Sequence, residues 1–227
     1  MSVHIVVAVT DRDWFDHLRQ LPHLEEINFW SPSPKNFRAL QPGELFLFKL
    51  HAPIDMIVGG GIFGFSNIMP LSLAWEAFGE ANGASNLVEM RRRILHYRDL
   101  PTDVRGPIEI GCRILVQPFF WPEKLWLRPP ASWSRNIVTL KNFSTDTVEG
   151  AALWDAVQER GVESTPVPGL ATTPQSRYGE PTLIRPRLGQ GGFRILVTGL
   201  YEKRCAVTRE RTLPALEAAH IKPCAEG

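Results

Sequence analysis

No stretch of this chain approaches the roughly 18 uninterrupted apolar residues that a membrane-crossing helix needs. Cysteine is scarce: three in 227 residues, Cys112, Cys205 and Cys224. An odd, widely spaced set excludes a disulfide framework and fits a reduced, cytoplasmic setting. The opening MSVHIVVAVTDRDWFD has no basic start and no small-residue cleavage site, so it reads as a first strand and not as a secretory signal. A large excess of either charge is missing too, with 25 Lys and Arg against 24 Asp and Glu. Internal repeats are absent, which excludes solenoids and propellers.

The chain is 44% hydrophobic and 22% charged, an ordinary globular balance that excludes disorder throughout. Its 22 aromatic residues (12 Phe, 7 Trp and 3 Tyr) supply a core and potential stacking surfaces. Residues 1–160 hold 16 basic and 18 acidic side chains, while residues 161–227 hold 9 and 6. The net therefore moves from −2 to +3 along the chain. Such an asymmetry suits a basic C-terminal piece that meets phosphate, although chance also produces it.

Residues 3–9 form a β-branched apolar run, as a buried strand does. Asp13 to Leu21 reads as a short helix and Ile27 to Trp30 as a short apolar segment. Pro32 and Pro34 then forbid a helix. Glu44 to Leu50 and Met56 to Phe65 read as strands, the second bulged by its glycines. Leu71, Ala74, Trp75 and Phe78 lie on one face of a helix stopped by Asn82-Gly83. Asn86 with Glu89 forms a capping box for a second helix, whose buried stripe is Leu87, Met90 and Ile94. Ile108 to Gln117 is a strand ended by Pro118, and the Trp- and Pro-rich segment Phe119 to Trp133 is irregular. Asn136 to Phe143 is another strand, and Glu149 to Arg160 a last helix. Residues 161–192 contain 5 Pro and 6 Gly and read as a linker. A new helical pattern runs from Phe193 to Lys203. This order of elements predicts an α+β domain around a small, curved, mostly antiparallel sheet.

Gly59 to Gly64 matches G-x-G-x-x-G. A dinucleotide loop needs a helix to start at the glycines, and six residues intervene here, so a bulged strand is expected instead. Trp30, Phe37 and Phe63 lie beside Ser31, Ser33 and Asn36. That is the material of a nucleobase pocket, flat faces with small polar groups, and equally of a plain core. Arg91, Arg92 and Arg93 suit either a solvated helix face or a phosphate contact. Cys205, His220 and Cys224 lack the paired spacing and fourth ligand of a zinc site.

The C-terminal run Phe193-Arg194 through Tyr201, Arg204 to Thr208 and Leu216 to Pro223 resembles the opening half of an HNH nuclease module. The resemblance implies that His220 is the general base activating water against a phosphodiester. It also implies a divalent metal such as Mg2+, bound by residues that follow in a complete module. The sequence ends at Gly227 before them, so no cofactor and no cleavage are expected of this chain.

Phe29 to Ser33, Gly43 to Leu50, Ile57 to Gly61 and Ala74 to Gly79 are similar to the domain ahead of HNH modules in bacterial restriction endonucleases. Residues 1–160 resemble a PUA-like domain of the EVE or ASCH kind, a small bent barrel with flanking helices. The resemblance implies a modification-dependent endonuclease whose reader domain flips a modified base, such as a 5-substituted cytosine, out of DNA. In that reading Trp30 is the stacking platform, with Phe37 and Phe63 behind it, and Ser31, Ser33 and Asn36 contact the base edge. Lys49, His51, Arg91, Arg92 and Arg93 contact phosphate. The organisation is a reader at 1–160, a linker at 161–192 and a partial nuclease module at 193–227, poorly packed from about 161 onward. The partner is DNA carrying modified bases, no membrane is involved, and a homodimer is left open. RNA binding, and a small-ligand or protein-interaction role, remain alternatives.

Overall fold

The computed structural model describes residues 2–163, 191–193, 196, 204–205 and 207–209. Six strands and four α-helices follow in chain order. They are β1 (His4–Thr10), α1 (Arg12–Leu18), β2 (Glu26–Ser31), β3 (Leu45–Leu50), β4 (Ile57–Pro70), α2 (Leu71–Phe78), α3 (Leu87–Tyr97), β5 (Glu109–Phe120), β6 (Leu140–Ser144) and α4 (Val148–Glu163). The strands make one sheet in the order β2-β5-β4-β3-β1-β6. Only β1 and β3 run parallel. The result is an α+β fold with a mostly antiparallel, open sheet.

The expected barrel does not close among the described residues, because β2 and β6 lie at opposite edges with four strands between them. Instead the concave face is filled. Trp14, Phe15 and Leu18 of α1 pack there with Ile27, Phe29, Phe46, Phe48 and Phe63. A second core lies where α2 and α3 cover Met69, Ile110, Cys112 and Ile114. A third sits where α4 and the Trp-rich segment cover Ile5, Val7, Leu45 and Leu47.

The pairing of the two longest strands, β4 and β5, is interrupted by bulges. Phe63 and Phe65 would share one face of a regular strand. A register shift between them sends Phe63 to the concave core and Phe65 to the α2/α3 core. The glycine run lies inside β4 and not at a helix start. A Cβ on Gly60 would come 2.6 Å from the Phe46 carbonyl oxygen, so the close strand approach requires glycine. A second register shift, between Gly60 and Ile62, faces Gln117, whose φ is 50°. There β5 passes through Pro118 and reaches Phe120, further than the proline predicts.

Other boundaries also move. β6 begins at Leu140, leaving Asn136 to Thr139 outside it, and α4 runs through Glu163, past the expected start of the linker. Gly191 and Gly192 are buried, while most of the expected linker and of the segment 193–227 lies outside the described residues. The capping box forms with a one-residue offset. Asn86 Oδ1 accepts from the Glu89 backbone N–H at 2.9 Å, while the Glu89 carboxylate accepts from the Ser85 N–H at 3.0 Å and hydroxyl at 2.6 Å. Those bonds, the hydroxyl's foremost, hold the Glu89 carboxyl below its usual range.

Candidate functional site

The segment from Ser31 to Gly43 crosses the concave face as a pinned loop. Its backbone lies against Gly111, where a Cβ would meet the Lys35 and Ser33 carbonyl oxygens at 3.0 and 3.1 Å. The Ser31 hydroxyl donates to the Ser33 carbonyl at 2.9 Å, and the Lys35 N–H donates to the same oxygen at 2.8 Å. Arg98 donates from Nε to the Pro32 carbonyl at 2.6 Å and from Nη2 to the Glu109 carbonyl, tying the end of α3 to the loop and to β5. The Ser66 hydroxyl donates to the Phe37 carbonyl at 3.0 Å. Between these anchors Pro34, Lys35, Asn36 and Arg38 are exposed. The loop carries two basic side chains and no acidic one.

Arg113 lies beneath this loop. On β5, Ile110, Cys112 and Ile114 point into the α2/α3 core, which turns Arg113 and Leu115 to the concave face. Its guanidinium carbon sits 4.9 Å from the Phe37 ring centroid and 6.0 Å from that of Phe29. The Nε atom is buried without a hydrogen-bond partner. Among the described residues the side chain makes no ion pair either. Burial pulls the pKa of the group down to about 10. The side chain as a whole is half-buried, so the cost falls on the buried Nε, and the two rings against the guanidinium offset part of it.

The structure divides the residues singled out in the sequence. Ser31, Ser33 and Asn36 belong to the loop over the concave face. Phe37 and Phe63 are core rings, 9% and 3% exposed with centroids 5.2 Å apart, so their faces are occupied by each other and by their neighbours. Trp30 points to the other side of β2, between the concave and α2/α3 cores, and its Nε1 donates to the Asn82 carbonyl at 2.9 Å. It does not share a pocket with Phe37 and Phe63. Strand alternation explains this, since Phe29 and Trp30 must face opposite ways.

Lys49 corrects a second expectation. It is 2% exposed, on the face away from the loop, where Nζ pairs with Asp55, donates to the Leu50 carbonyl at 3.2 Å and lies 5.0 Å from the Trp133 ring centroid. A phosphate does not reach it there. His51 is exposed, with Nε2 3.5 Å from an Asp11 oxygen.

The arginine triplet is also divided. Arg91 donates to the Val104 carbonyl, and Arg93 to the Gly83 carbonyl at 3.0 Å and to Glu89. Arg92 is exposed and, with Arg12, Arg93, His96 and Tyr97, lines a cleft of about 600 Å³ between α3 and the start of α1. Asp11, Asp13 and Asp99 line it as well, so the cleft carries both signs. The Tyr97 hydroxyl donates to Asp11, and burial, aided by that carboxylate, raises its pKa. His220 and Cys224 lie outside the described residues. No group of three or more His, Cys, Asp or Glu that could hold a metal occurs among the described residues. No helix there is long and apolar enough to cross a membrane.

Two residues carry structure that sequence reasoning missed. Asn82, read as a helix stop, is fully buried: its Nδ2 donates to the Ala74 and Gly79 carbonyls, which turns its Oδ1 toward Asn28 Nδ2 at 2.9 Å. Arg113 had a legible signal, one cationic residue inside the apolar run Ile110 to Val116.

No family model and no curated protein matches this chain. Among solved structures it is similar to a mutant of the ZmASCH protein from Zymomonas mobilis. The two share 8% identity over 67% of this chain and 95% of that one, with a TM-score of 0.41. A superposition that loose carries no weight for function, and the fold rests on the sheet order described above.

Proposed function

We propose that residues 2–163 form a nucleic-acid-binding domain whose ligand is gripped at the mouth of the concave face. The observation that carries this reading is Arg113, a half-buried side chain whose Nε is buried without an acceptor, under an exposed loop that bears Lys35 and Arg38 and no carboxylate. A guanidinium presents paired donors that match either a phosphate or the acceptor edge of a base. Lys35 and Arg38 then meet the flanking phosphates, and Ser31, Ser33 and Asn36 offer small polar groups to the base edge.

The likeness of Phe29 to Ser33 and Gly43 to Leu50 to the reader domains of restriction endonucleases supports a modified base in DNA as the ligand. Unstacking such a base costs a few kcal/mol, which contacts at the mouth offset. Phe37 and Phe29 flank the guanidinium, and Phe37 and Phe63 are core rings and not themselves the stacking platform. The hydrolytic part of the resemblance rests on His220 and a divalent metal, beyond the described residues, so the function proposed is one of binding.

Fluorescence anisotropy with the 227-residue chain tests this. The probes are a duplex carrying 5-methylcytosine, the unmodified duplex and a single-stranded RNA, each at two salt concentrations. Affinity is expected to fall as salt rises. Arg113→Met is expected to weaken binding by ~2 kcal/mol, the scale of a charged hydrogen bond, or about 30-fold. Affinity indifferent to salt and to Arg113 sinks the reading. Preference for the RNA keeps the site and changes its ligand.

A further inference from the structure

We infer that Gly191 to Phe193 is a seated joint, which fastens the C-terminal part of the chain to the corner formed by the start of β2 and the end of α2. Residues 191–193 are helical, and both glycines are buried. The Gly192 N–H donates to Glu26 Oε1 at 2.9 Å. A Cβ on Gly191 would lie 2.6 Å from the Ala77 carbonyl oxygen, 2.8 Å from Glu26 Oε1 and 3.0 Å from Phe78 Cε1. The helical turn therefore rests with its backbone directly on α2, and any side chain at position 191 lifts it off.

Glu26 supplies one acceptor from a strand 166 positions away in sequence. Burial of two adjacent glycines, close backbone contact and a long-range hydrogen bond together make a specific seat. A free tether makes none of these contacts.

The consequence is geometric. Glu26 and Ser31 are the two ends of β2, so the seat stands about 17 Å from the candidate mouth by strand rise. Whatever residues beyond 193 do, they start at a set place on the domain. This inference does not depend on what binds at the mouth.

Hydrogen exchange of the full chain, followed on a peptide spanning 189–196, tests it. The Gly192 amide is expected to exchange at least tenfold slower than in a free peptide of that sequence. Gly191→Val and Glu26→Ala are each expected to remove that protection while peptides from β4 and β5 keep theirs. Glu26→Met, which keeps the length of the side chain and has no oxygen acceptor, replaces Glu26→Ala if that variant loosens β5. Exchange at the free-peptide rate in the unaltered chain overturns the joint, as does protection that survives all three substitutions. Loss of DNA binding with the joint intact bears on the mouth alone.

Discussion

Two parts of the molecule carry arginines in opposite circumstances. On α3, Arg91, Arg93 and Arg98 all donate to backbone carbonyls of neighbouring segments, and Arg93 also meets Glu89. On β5, Arg113 lies against two phenylalanine rings and donates to nothing among the described residues. The clustered arginines, which look like a phosphate site, are chiefly braces. The isolated one, which looks like an oddity in a strand, is the group with donors to spare. The number of partners, and not the density of charge, is what sets Arg113 apart from the arginines of α3. A buried Nε without an acceptor costs stability, which is why Arg113 carries the binding site proposed above.

The largest effect expected tests whether β5 is packed as described. Burial pushes the Cys112 thiol up to about 12 from its ordinary 9.0, while Cys205 is held lower by its hydrogen bond with Thr208. At pH 8 Cys112 should hold roughly 1000-fold less thiolate than an ordinary thiol, and it should alkylate after Cys205. Its contribution to stability is complete below about pH 9 and disappears toward pH 12, because the unfolded thiol loses its proton first. Mass spectrometry of a timed alkylation reads the order. Early modification of Cys112 means that the outer face of β5 is open.

Next in size is Trp30→Ala. The ring packs between two cores and its N–H is committed to Asn82, so a loss of ~2–4 kcal/mol of stability is expected. Affinity per folded molecule should stay unchanged. Weaker binding at an unchanged melting temperature returns Trp30 to the ligand site.

The comparison itself is sharpest in a pair of variants. Arg98→Ala removes donors from two carbonyls and should cost ~1–2 kcal/mol in denaturant unfolding. Arg113→Met removes an unsatisfied charge and should leave the melting temperature unchanged or raise it. A large destabilisation by Arg113→Met would reverse the contrast. The smallest effect belongs to Arg92→Ala, an exposed position where less than ~0.5 kcal/mol is expected. A larger loss of DNA affinity there than at Arg113 moves the interface to the cleft between α1 and α3.

Much of the fold was legible beforehand because its signals are local. The β-branched run before Thr10, the apolar run Leu45 to Leu50, the i, i+3, i+4, i+7 face from Leu71 to Phe78 and the Asn86–Glu89 cap each state their own structure. The passage of β5 through Pro118 was not legible, since it depends on a bulge opposite Gly60 and Ile62 in another strand. Nor was the start of β6 at Leu140, although the Val9 N–H still donates to the Thr139 carbonyl at 2.7 Å.

The candidate site was legible only in part. Ser31, Ser33, Asn36 and Phe37 are neighbours in sequence and remain neighbours in the loop. Trp30 left the group because one step along a strand reverses a side chain. Lys49 left because it too falls on the face away from the loop.

The sequence by itself determined the α+β class, the capped helix α3, the glycine-bulged strand β4 and the acid-free loop after Trp30. Each follows from residues a few positions apart, where periodicity, capping and backbone sterics act. Only the tertiary structure decided which arginine lacks a partner, which aromatic rings are core and that Glu26 reaches Gly192. Those facts depend on which elements stack against which. Strand order and sheet curvature bring together residues tens to more than a hundred positions apart, and no local pattern encodes that distance.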